Sequence, residues 1–304
     1  MYLIMNETPM ILYIISDKRS GSTLLENILS KSDEAVSLGE VAMLKNHILR
    51  EGPGEKWGWS CSCGEALNSC GFWAPIIKEV LPGQTENEFE TKINWSYTSF
   101  QSFIFGLFPR LFKKKIFKKI QSERSEKVVK NVLSVYHAVY DKAKKKFIID
   151  STKLPIQALA IYQKRSNLRV KFIFLTRDIR GIAYSKKKSK EGKNIKVSFK
   201  DLYKVWLYKR FARSVLTFIK KGDALSIRYE DLATHTEKEL KKIFSFSEMK
   251  PFDTPTYMEL NNDHTLGGTP KRFEKRKINL DETWKKYFLH ERAKNLFGVF
   301  LNKT

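Results

Sequence analysis

A short polar loop between an apolar run and a helical pattern constrains the fold of this chain more than any other feature. Residues 10–15, MILYII, are apolar and rich in β-formers, as a buried parallel strand requires. After the loop SDKRSGST (16–23), Leu24, Ile28 and Leu29 recur at helical spacing. In a phosphate-binding loop, a glycine-containing segment joins a strand to a helix. Its backbone N–H groups and the helix N-terminus hold an anion. The stretch therefore predicts an anion site at the end of a strand.

This loop departs from the nucleoside-triphosphate pattern at two positions. Ser16 replaces the first glycine, and Ser22 stands where the pattern has the lysine that reaches the β- and γ-phosphates. Arg19 instead supplies a cation earlier in the loop. These changes suit a single phosphate-like group better than a magnesium triphosphate, and they disfavour a conventional ATPase or GTPase.

Strand patterns alternate with helical patterns along the rest of the chain. Beyond the first strand, strands are predicted at residues 147–149, 170–175 and 225–229, with a short strand or turn at Gly39-Glu40. This alternation implies right-handed crossovers and a parallel sheet whose sites lie at the carboxyl ends of the strands. We therefore predict an α/β fold, a P-loop-NTPase-like parallel sheet flanked by helices, as one domain over residues 1–304.

The charge balance indicates an anionic partner. The 304 residues include 56 Lys and Arg against 33 Asp and Glu, a formal net charge of +23 at pH 7. No RNA- or DNA-binding motif accompanies this charge and the cations are dispersed, so a nucleic-acid-binding module is disfavoured.

No apolar run reaches the length of about 18 residues that a membrane span needs, and the first residues do not form a signal peptide, which predicts a cytoplasmic protein.

Two unusual segments lie within residues 51–146, which we interpret as Cys-rich and basic helical insertions into the domain. The basic one, residues 103–120, alternates Phe, Leu and Ile with Lys. Three alternatives stay open for it: an amphipathic helix on an anionic membrane, a basic lid over an acidic acceptor, or a helix that packs in the core and exposes a Lys-covered face.

Three cysteines, Cys61, Cys63 and Cys70, characterise the other segment. Their odd number excludes a general disulfide framework, which leaves a single disulfide, a zinc site completed from elsewhere in the chain, or free thiols. The spacing Cys-x-Cys-x6-Cys lacks the Cys-x2-Cys pairs of common zinc sites, and no fourth ligand lies nearby in the sequence. We therefore favour free or loosely paired thiols and predict no metal.

Several motifs together resemble one enzyme family. RSGSTLLENIL resembles the 5′-phosphosulfate-binding loop of sulfotransferases that use 3′-phosphoadenosine 5′-phosphosulfate (PAPS), and LTRDIRGIAYS resembles their 3′-phosphate-binding motif, with Arg177 and Ser185 eight residues apart. IRYEDL is similar to the family's adenine-side segment. HTLGGTPKRF, followed by INLDETW, resembles the C-terminal phosphate-binding loop of carbohydrate-type bacterial members, to which the Cys-rich segment is also similar. The resemblance covers residues 11 to about 290, with residues 84–146 unmatched.

The resemblance implies a site for PAPS that needs no metal. Arg19 and the backbone N–H groups that follow it would hold the 5′-phosphate, while Arg177 and Ser185, the latter at the start of the next helix, would hold the 3′-phosphate. Tyr229 would either stack on adenine or pack in the core. The implied cofactor-binding residues are Arg19, Ser20, Gly21, Ser22, Thr23, Leu24, Arg177, Ser185, Tyr229, Gly268, Lys271 and Arg272.

The catalytic groups implied by the resemblance are Glu40, Lys153 and Arg19. Glu40 in LGEV matches the general base of carbohydrate and protein-tyrosine sulfotransferases, a role for which desolvation would have to raise its pKa. Lys153 would approach the transferring sulfonate, and Arg19 would neutralise the leaving phosphate. The alternatives are a helix-terminal carboxylate for Glu40 and a solvated loop residue for Lys153.

These parts predict metal-free, in-line transfer of a sulfuryl group from PAPS to a hydroxyl acceptor, with a carbohydrate or glycoconjugate favoured. The insertions within residues 51–146 are expected to shape the acceptor site. Two alternatives remain: a sulfotransferase for a lipid or protein tyrosine, and a P-loop-like nucleotide kinase, for which Asp150 is the only good metal-binding carboxylate. No nucleic-acid partner is expected, and peripheral membrane contact through residues 103–120 stays open.

Overall fold

A five-stranded parallel sheet forms the centre of the computed structural model, which describes residues 8–49, 60–83, 85–94, 104, 111, 113–192, 194–258, 264–268 and 274–303. Its strands are β1 (Met10–Ser16), β2 (Ala35–Gly39), β3 (Phe147–Lys153), β4 (Arg169–Thr176) and β5 (Ala224–Arg228), in the order β2-β3-β1-β4-β5. All neighbouring strands of this sheet run parallel, which confirms the predicted fold class. A separate antiparallel pair consists of β6 (Tyr257–Met258) and β7 (Arg276–Lys277).

Helices connect the strands and cover both faces of the sheet. In chain order they are α1 (Ser22–Leu29), α2 (Leu44–Leu49), α3 (Trp73–Val80), α4 (Lys113–Ile120), α5 (Glu123–Ala143), α6 (Pro155–Lys164), α7 (Ile179–Glu191), α8 (Phe199–Leu216), α9 (Tyr229–Thr234), α10 (Thr236–Ser247), α11 (Thr283–Leu289) and α12 (Arg292–Lys303). Short 3-10 helices occupy Val41–Met43 and Lys221–Asp223. Such crossovers are required because parallel strands cannot be joined by tight turns.

The central strand β1 is buried on both faces, which explains its uninterrupted apolar sequence. Successive side chains of a strand point to opposite faces. The odd-numbered residues from Ile11 to Ile15 join a core cluster with α3, α5 and α6, and the even-numbered residues from Met10 to Ile14 join a second cluster with α1, α9 and α10. Two apolar layers therefore hold the sheet between them.

Two strand ends differ from the sequence prediction. β3 continues through four polar residues to Lys153, although these residues were expected to form a loop. They are buried and find partners inside the protein; for example, the Ser151 hydroxyl donates to Glu26 Oε2 at 2.7 Å. At the other edge, β5 ends at Arg228 and Tyr229 already begins α9.

The described part of the basic segment packs against the core. In α4, Ile116 and Ile120 are fully buried, while Lys113, Lys114 and Lys118 are exposed. This is the arrangement of a core-packed helix with a Lys-covered face; the rest of the segment lies mostly outside the described residues. Nowhere in the described part of the chain is a helix both long and apolar enough for a membrane span.

The edge strand β2 gains a partner from a segment far along the chain. Leu266 forms an isolated parallel bridge with Gly39, in which Leu266 N–H donates to Leu38 O (2.9 Å) and Glu40 N–H donates to Leu266 O (2.8 Å). Gly39 has φ +71°, and a Cβ there would lie 2.0 Å from the Leu266 carbonyl oxygen. Glycine is thus required for this close approach. The bridge brings residues 264–268 to the end of β2.

Gly39→Ala is expected to destabilise the protein by about 3 kcal/mol, because it combines an unfavourable positive φ with overlap against Leu266. Gly83→Ala is the matched control, since Gly83 has the same φ of +71° and open space around an added Cβ. Its expected cost is about 1 kcal/mol. Urea denaturation measures both free energies of unfolding, and equal losses would contradict the close approach at Gly39.

Candidate functional site

A cavity of about 860 Å³ lies at the carboxyl edge of the sheet. All five strands contribute to it through residues at or just after their ends. Glu40 follows β2, Lys153 ends β3, Arg177 follows β4, Tyr229 follows β5, and the loop after β1 supplies Arg19. The topology therefore collects residues that are widely separated in sequence, because the carboxyl ends of parallel strands meet at one edge.

Most of the predicted site residues line this cavity. They are Arg19, Gly21, Ser22, Thr23, Leu24, Glu40, Lys153, Arg177, Ser185, Tyr229 and Gly268. Ser20 is buried within its loop, and its hydroxyl has no hydrogen-bond partner among the described residues. Lys271 and Arg272 lie outside the described residues.

Two left-handed residues shape the first loop. Gly21 is the N-cap of α1 with φ +94°, and Arg19 has φ +72°. A Cβ on Gly21 would lie 2.4 Å from the Tyr229 ring, so the absence of a side chain allows the ring to pack on the loop. Residues 22–24 then form the first turn of α1; Leu24 N–H donates to the Gly21 carbonyl oxygen at 2.9 Å, while the N–H groups of Ser22 and Thr23 precede the first helical hydrogen bonds. The loop thereby turns the N-terminus of α1 toward the cavity, as an anion site requires.

Two arginine side chains are held close together in the cavity. Arg19 Nε donates to Ser185 Oγ at 3.0 Å, and Arg177 Nη1 donates to the Arg19 carbonyl oxygen at 3.1 Å. Burial and the neighbouring charges of Arg177 and Arg276 lower the pKa of Arg19. Ser185 is the seventh residue of α7, so the expected position at the start of this helix is wrong. Its hydroxyl reaches the cavity from the second turn, where the helix end contributes little to anion binding.

An aromatic ring and a carboxylate orient Arg177. Its guanidinium carbon lies 4.3 Å from the centre of the Tyr229 ring, and its Nη2 lies 3.1 Å from Asp281 Oδ2. The Tyr229 hydroxyl accepts a hydrogen bond from Asp281 N–H at 3.0 Å. Tyr229 thus packs against Arg177 and Gly21 while it also lines the cavity. The Nε atoms of Arg177 and Arg276 are buried and have no hydrogen-bond partner in the described part of the chain.

Glu40 and Lys153 form a second charged pair in the cavity. Lys153 Nζ lies 2.7 Å from Glu40 Oε1 and donates to the Ser151 carbonyl oxygen at 3.0 Å. Lys153 has a positive φ of 74°, an uncommon conformation for a residue with a side chain. Burial raises the pKa of Glu40, but the charge and hydrogen bond of Lys153, together with smaller effects of Lys18 and Gly268 N–H, outweigh burial, and the pKa lies below its usual value. The expected raised pKa is therefore wrong, because Lys153 stabilises the carboxylate.

Sequence reasoning missed several groups of this cavity. Asp281, which holds Arg177, lies in the INLDETW stretch, so the resemblance marked the segment but not the residue. Arg276 lies in a basic stretch without a distinctive pattern. His47 Nε2 accepts a hydrogen bond from Gly267 N–H at 3.2 Å. No local signal marks His47, since this contact depends on a segment more than two hundred residues away.

Two charged residues near the strand ends belong to other environments. Asp150 is fully buried and accepts hydrogen bonds from the Tyr136 hydroxyl (2.5 Å) and from Thr152 N–H (2.7 Å). It does not line the cavity, which leaves the kinase alternative without the metal-binding carboxylate that it needs from this strand. Arg180 pairs with Asp178 at 2.6 Å and does not line the cavity either.

Cations outnumber carboxylates around the cavity. The cationic lining residues are Lys18, Arg19, Lys153, Arg177, Lys186, Lys187, Lys190, Lys204, Arg276 and Lys277, and the carboxylates are Glu40, Asp201 and Asp281. Each carboxylate pairs with one of these cations. The lining therefore has a net positive charge and suits a ligand with more than one anionic group.

Comparisons with known proteins identify a family and a fold. The model of the sulfotransferase family matches residues 11–254. The sulfotransferase domain from the curacin biosynthetic pathway is 17% identical, with a TM-score of 0.50 over 93% of this chain and 92% of that one. The sulfotransferase domain from the Synechococcus PCC 7002 olefin synthase is 17% identical, with a TM-score of 0.51 over 98% and 95%. At this identity the two structures support the fold alone, and no curated protein matches the chain.

Because of Asp150, the free energy of unfolding should decrease as the pH rises from about 4 to about 6. Burial raises the pKa of its carboxyl from 3.8 to about 6, despite the hydrogen bonds from Thr152 and Tyr136. Above about pH 4 the unfolded chain releases this proton while the folded protein keeps it, so the free energy of unfolding decreases until the pH passes the folded pKa. A shift of about two pH units corresponds to about 3 kcal/mol.

Asp150→Asn removes this titration and tests the effect. Urea denaturation at about pH 4, 5 and 6.5 is expected to show the wild type losing up to about 3 kcal/mol of stability relative to the variant. Parallel profiles for the two proteins would contradict the raised pKa.

Proposed function

The chain belongs to the sulfotransferase family, and we propose that it transfers a sulfuryl group from PAPS to a hydroxyl of an acceptor. One observation carries the proposal: Arg19 and Arg177 line the same cavity and are joined by a hydrogen bond of 3.1 Å. PAPS has a phosphosulfate at one position of its ribose and a phosphate at another. Two arginines in one cavity supply a cation for each of these groups.

The donors around the cavity fit such a ligand. Arg177 and Arg276 line the cavity, and their Nε atoms are buried without partners in the part of the chain that the structure describes. A buried donor left unpaired costs about 1–3 kcal/mol, so phosphate oxygens are favourable partners for these groups. By resemblance, Lys271 and Arg272 extend the proposed phosphate site, although they lie outside the described residues.

The proposed transfer uses charges that already line the cavity. The S–O bond to the 5′-phosphate breaks, its electron pair stays on the phosphate oxygen, and the acceptor oxygen forms the new S–O bond. Arg19 and the loop N–H groups stabilise the phosphate as it leaves, and Lys153 stabilises the sulfonate oxygens. The acceptor proton passes to Glu40.

Lys153 reconciles the low pKa of Glu40 with a role as base. Its ammonium lies 2.7 Å from Glu40, and this contact is the main influence that lowers the carboxyl pKa. A sulfonate bound nearby competes for the same ammonium. When Lys153 moves to the sulfonate, burial of Glu40 remains and raises the pKa, so the carboxylate becomes a stronger base when the substrate is in place.

We propose a carbohydrate hydroxyl as the acceptor. Glu40 in the position of the base, the Cys-rich segment and the GGTPKRF stretch are all similar to the carbohydrate branch of the family. Gly267 borders Glu40, and His47 contacts Gly267, so these residues form the wall beside the base. Incubation with ³⁵S-labelled PAPS and a panel of glycans, lipids and tyrosine peptides tests the acceptor class. Label on lipid or peptide instead of glycan would overturn it.

Calorimetric titration with 3′,5′-bisphosphoadenosine, the product nucleotide, tests the assignment of PAPS. We expect binding without a metal ion, and a loss of about 100-fold in affinity for Arg177→Ala, because a buried charged donor contributes about 1.5–3 kcal/mol. Arg180→Ala is the matched control, since Arg180 pairs with Asp178 outside the cavity. Its affinity should stay within about threefold of the wild type. Magnesium-dependent binding of ATP without preference for the bisphosphate would favour the kinase instead.

Glu40→Gln is expected to lower kcat by about 100-fold or more, because it removes the proton acceptor but keeps the size of the side chain. The affinity for bisphosphoadenosine should change by less than about threefold. Transfer of label to the preferred acceptor gives kcat, and calorimetry gives the affinity. Full turnover in the variant would show that another group accepts the proton.

A further inference from the structure

Three cysteines and a histidine lie together outside the cavity. We call Cys61, Cys63, Cys70 and His264 the thiol–imidazole cluster. Their three Sγ atoms and one ring nitrogen all lie within 4.8 Å of one another. His264 Nδ1 is 3.4 Å from Cys61 Sγ and 3.2 Å from Cys70 Sγ, and Cys63 Sγ is 3.7 Å from Cys70 Sγ. No disulfide joins these three cysteines.

These separations are close to those between the ligands of one tetrahedral zinc ion. Zn–S bonds of about 2.3 Å and Zn–N bonds of about 2.0–2.1 Å put two sulfurs about 3.8 Å apart and a sulfur and a nitrogen about 3.6 Å apart. The observed distances are 3.7 Å for sulfur to sulfur and 3.4 and 3.2 Å for sulfur to nitrogen. Only small side-chain movements are therefore needed to surround an ion with three sulfurs and one nitrogen, a common structural zinc set.

Contacts that do not involve the thiols hold His264 in place. The Phe72 ring stacks on its imidazole, with centroids 4.9 Å apart and planes 8° from parallel. Trp73 Nε1 donates to the His264 carbonyl oxygen at 2.6 Å. Burial lowers the pKa of His264, which favours the neutral ring that coordinates metals. The imidazole is thus oriented for coordination by its surroundings.

The position of the cluster indicates a structural ion rather than a catalytic one. Cys61 and Cys70 are buried, and none of the four residues lines the cavity. Four protein ligands complete a tetrahedral zinc ion, whereas a catalytic zinc ion keeps one position for water or substrate. Burial also raises the pKa of the Cys61 thiol, a cost that a divalent cation offsets because it stabilises the thiolate.

The cluster joins the Cys-rich segment to residues 264–268. Beside it, Ser62 N–H donates to the Thr265 carbonyl oxygen at 3.2 Å, and Thr265 N–H donates to Ser62 Oγ at 2.8 Å. The next residue, Leu266, forms the bridge to β2, and the segment then continues to the cavity beside Glu40. A bond to His264 therefore restrains the backbone that borders Glu40.

We propose that the thiol–imidazole cluster binds one zinc ion, which ties the Cys-rich segment to residues 264–268. Binding releases the thiol protons to solvent and involves no redox change. The cysteine spacing disfavoured zinc because no fourth ligand lay nearby; the fold supplies His264, which is 194 residues beyond Cys70. This inference stands apart from the proposed reaction, because no step of the transfer uses the ion.

The zinc content of protein purified without chelators tests the proposal. Elemental analysis is expected to find about one zinc ion per chain in the wild type and less than about a third of that in His264→Ala. His137→Ala is the matched control, because His137 is exposed on α5, and it should keep the zinc of the wild type. Cys63→Ser alters an exposed ligand, should also lose zinc, and can be checked for folding by circular dichroism.

Cobalt substitution and removal of zinc provide independent readouts. Wild-type protein loaded with Co(II) is expected to show the visible bands of a tetrahedral thiolate site, and Cys63→Ser should lose most of their intensity. A chelator should lower the Tm of the wild type by several degrees and leave His264→Ala unchanged. Wild-type protein without zinc, equal zinc in the wild type and His264→Ala, or a Cys63–Cys70 disulfide in the intact mass would each overturn the proposal.

Discussion

The proximity of the half-buried Arg19 and the buried Arg177 at the carboxyl edge of the sheet determines how the rest of the site is built. Arg177 reaches the Arg19 carbonyl oxygen, and both guanidinium groups meet around one cavity. Asp281 and Tyr229 restrain the guanidinium of Arg177, and Gly21 allows the tyrosine ring to approach the first loop. The cations of this cavity outnumber its carboxylates, so a ligand with two anionic groups relieves their mutual repulsion. This physical demand agrees with the chemistry of the sulfotransferase family.

Two of the five described non-glycine residues with positive φ lie at the site. Arg19 and Lys153 both have positive φ values, of 72° and 74°, and both line the cavity. The Tyr208 hydroxyl on α8 lies 2.7 Å from the Ser16 carbonyl oxygen and 2.6 Å from that of Lys153, which ties the ends of β1 and β3 to one side chain. Uncommon conformations persist only where the surroundings hold them, and this tyrosine is part of that support.

The sequence allowed the sheet and the edge that carries the site to be predicted, because a strand buried on both faces must be apolar throughout and polar residues must end it. The same rule predicted the end of β3 too early, because the polar Ser151 belongs to the strand and is buried against Glu26. The pKa of Glu40 was also beyond prediction, since its direction depends on the 2.7 Å contact with Lys153. Contacts of His264 with the cysteines depend on tertiary structure, which local spacing does not contain.

The bridge between Gly39 and Leu266 implies an order of assembly during synthesis. The parallel sheet is complete once the ribosome has made β5, so the first loop and Lys153 can take their places on the nascent polypeptide. The wall beside Glu40 forms only after residues 264–268 have been made. Contacts of such long sequence separation form late, because closing a long loop costs entropy. A newly made chain therefore completes its sheet before it closes the cavity, because residues 264–268 and Asp281, which holds Arg177, are made later.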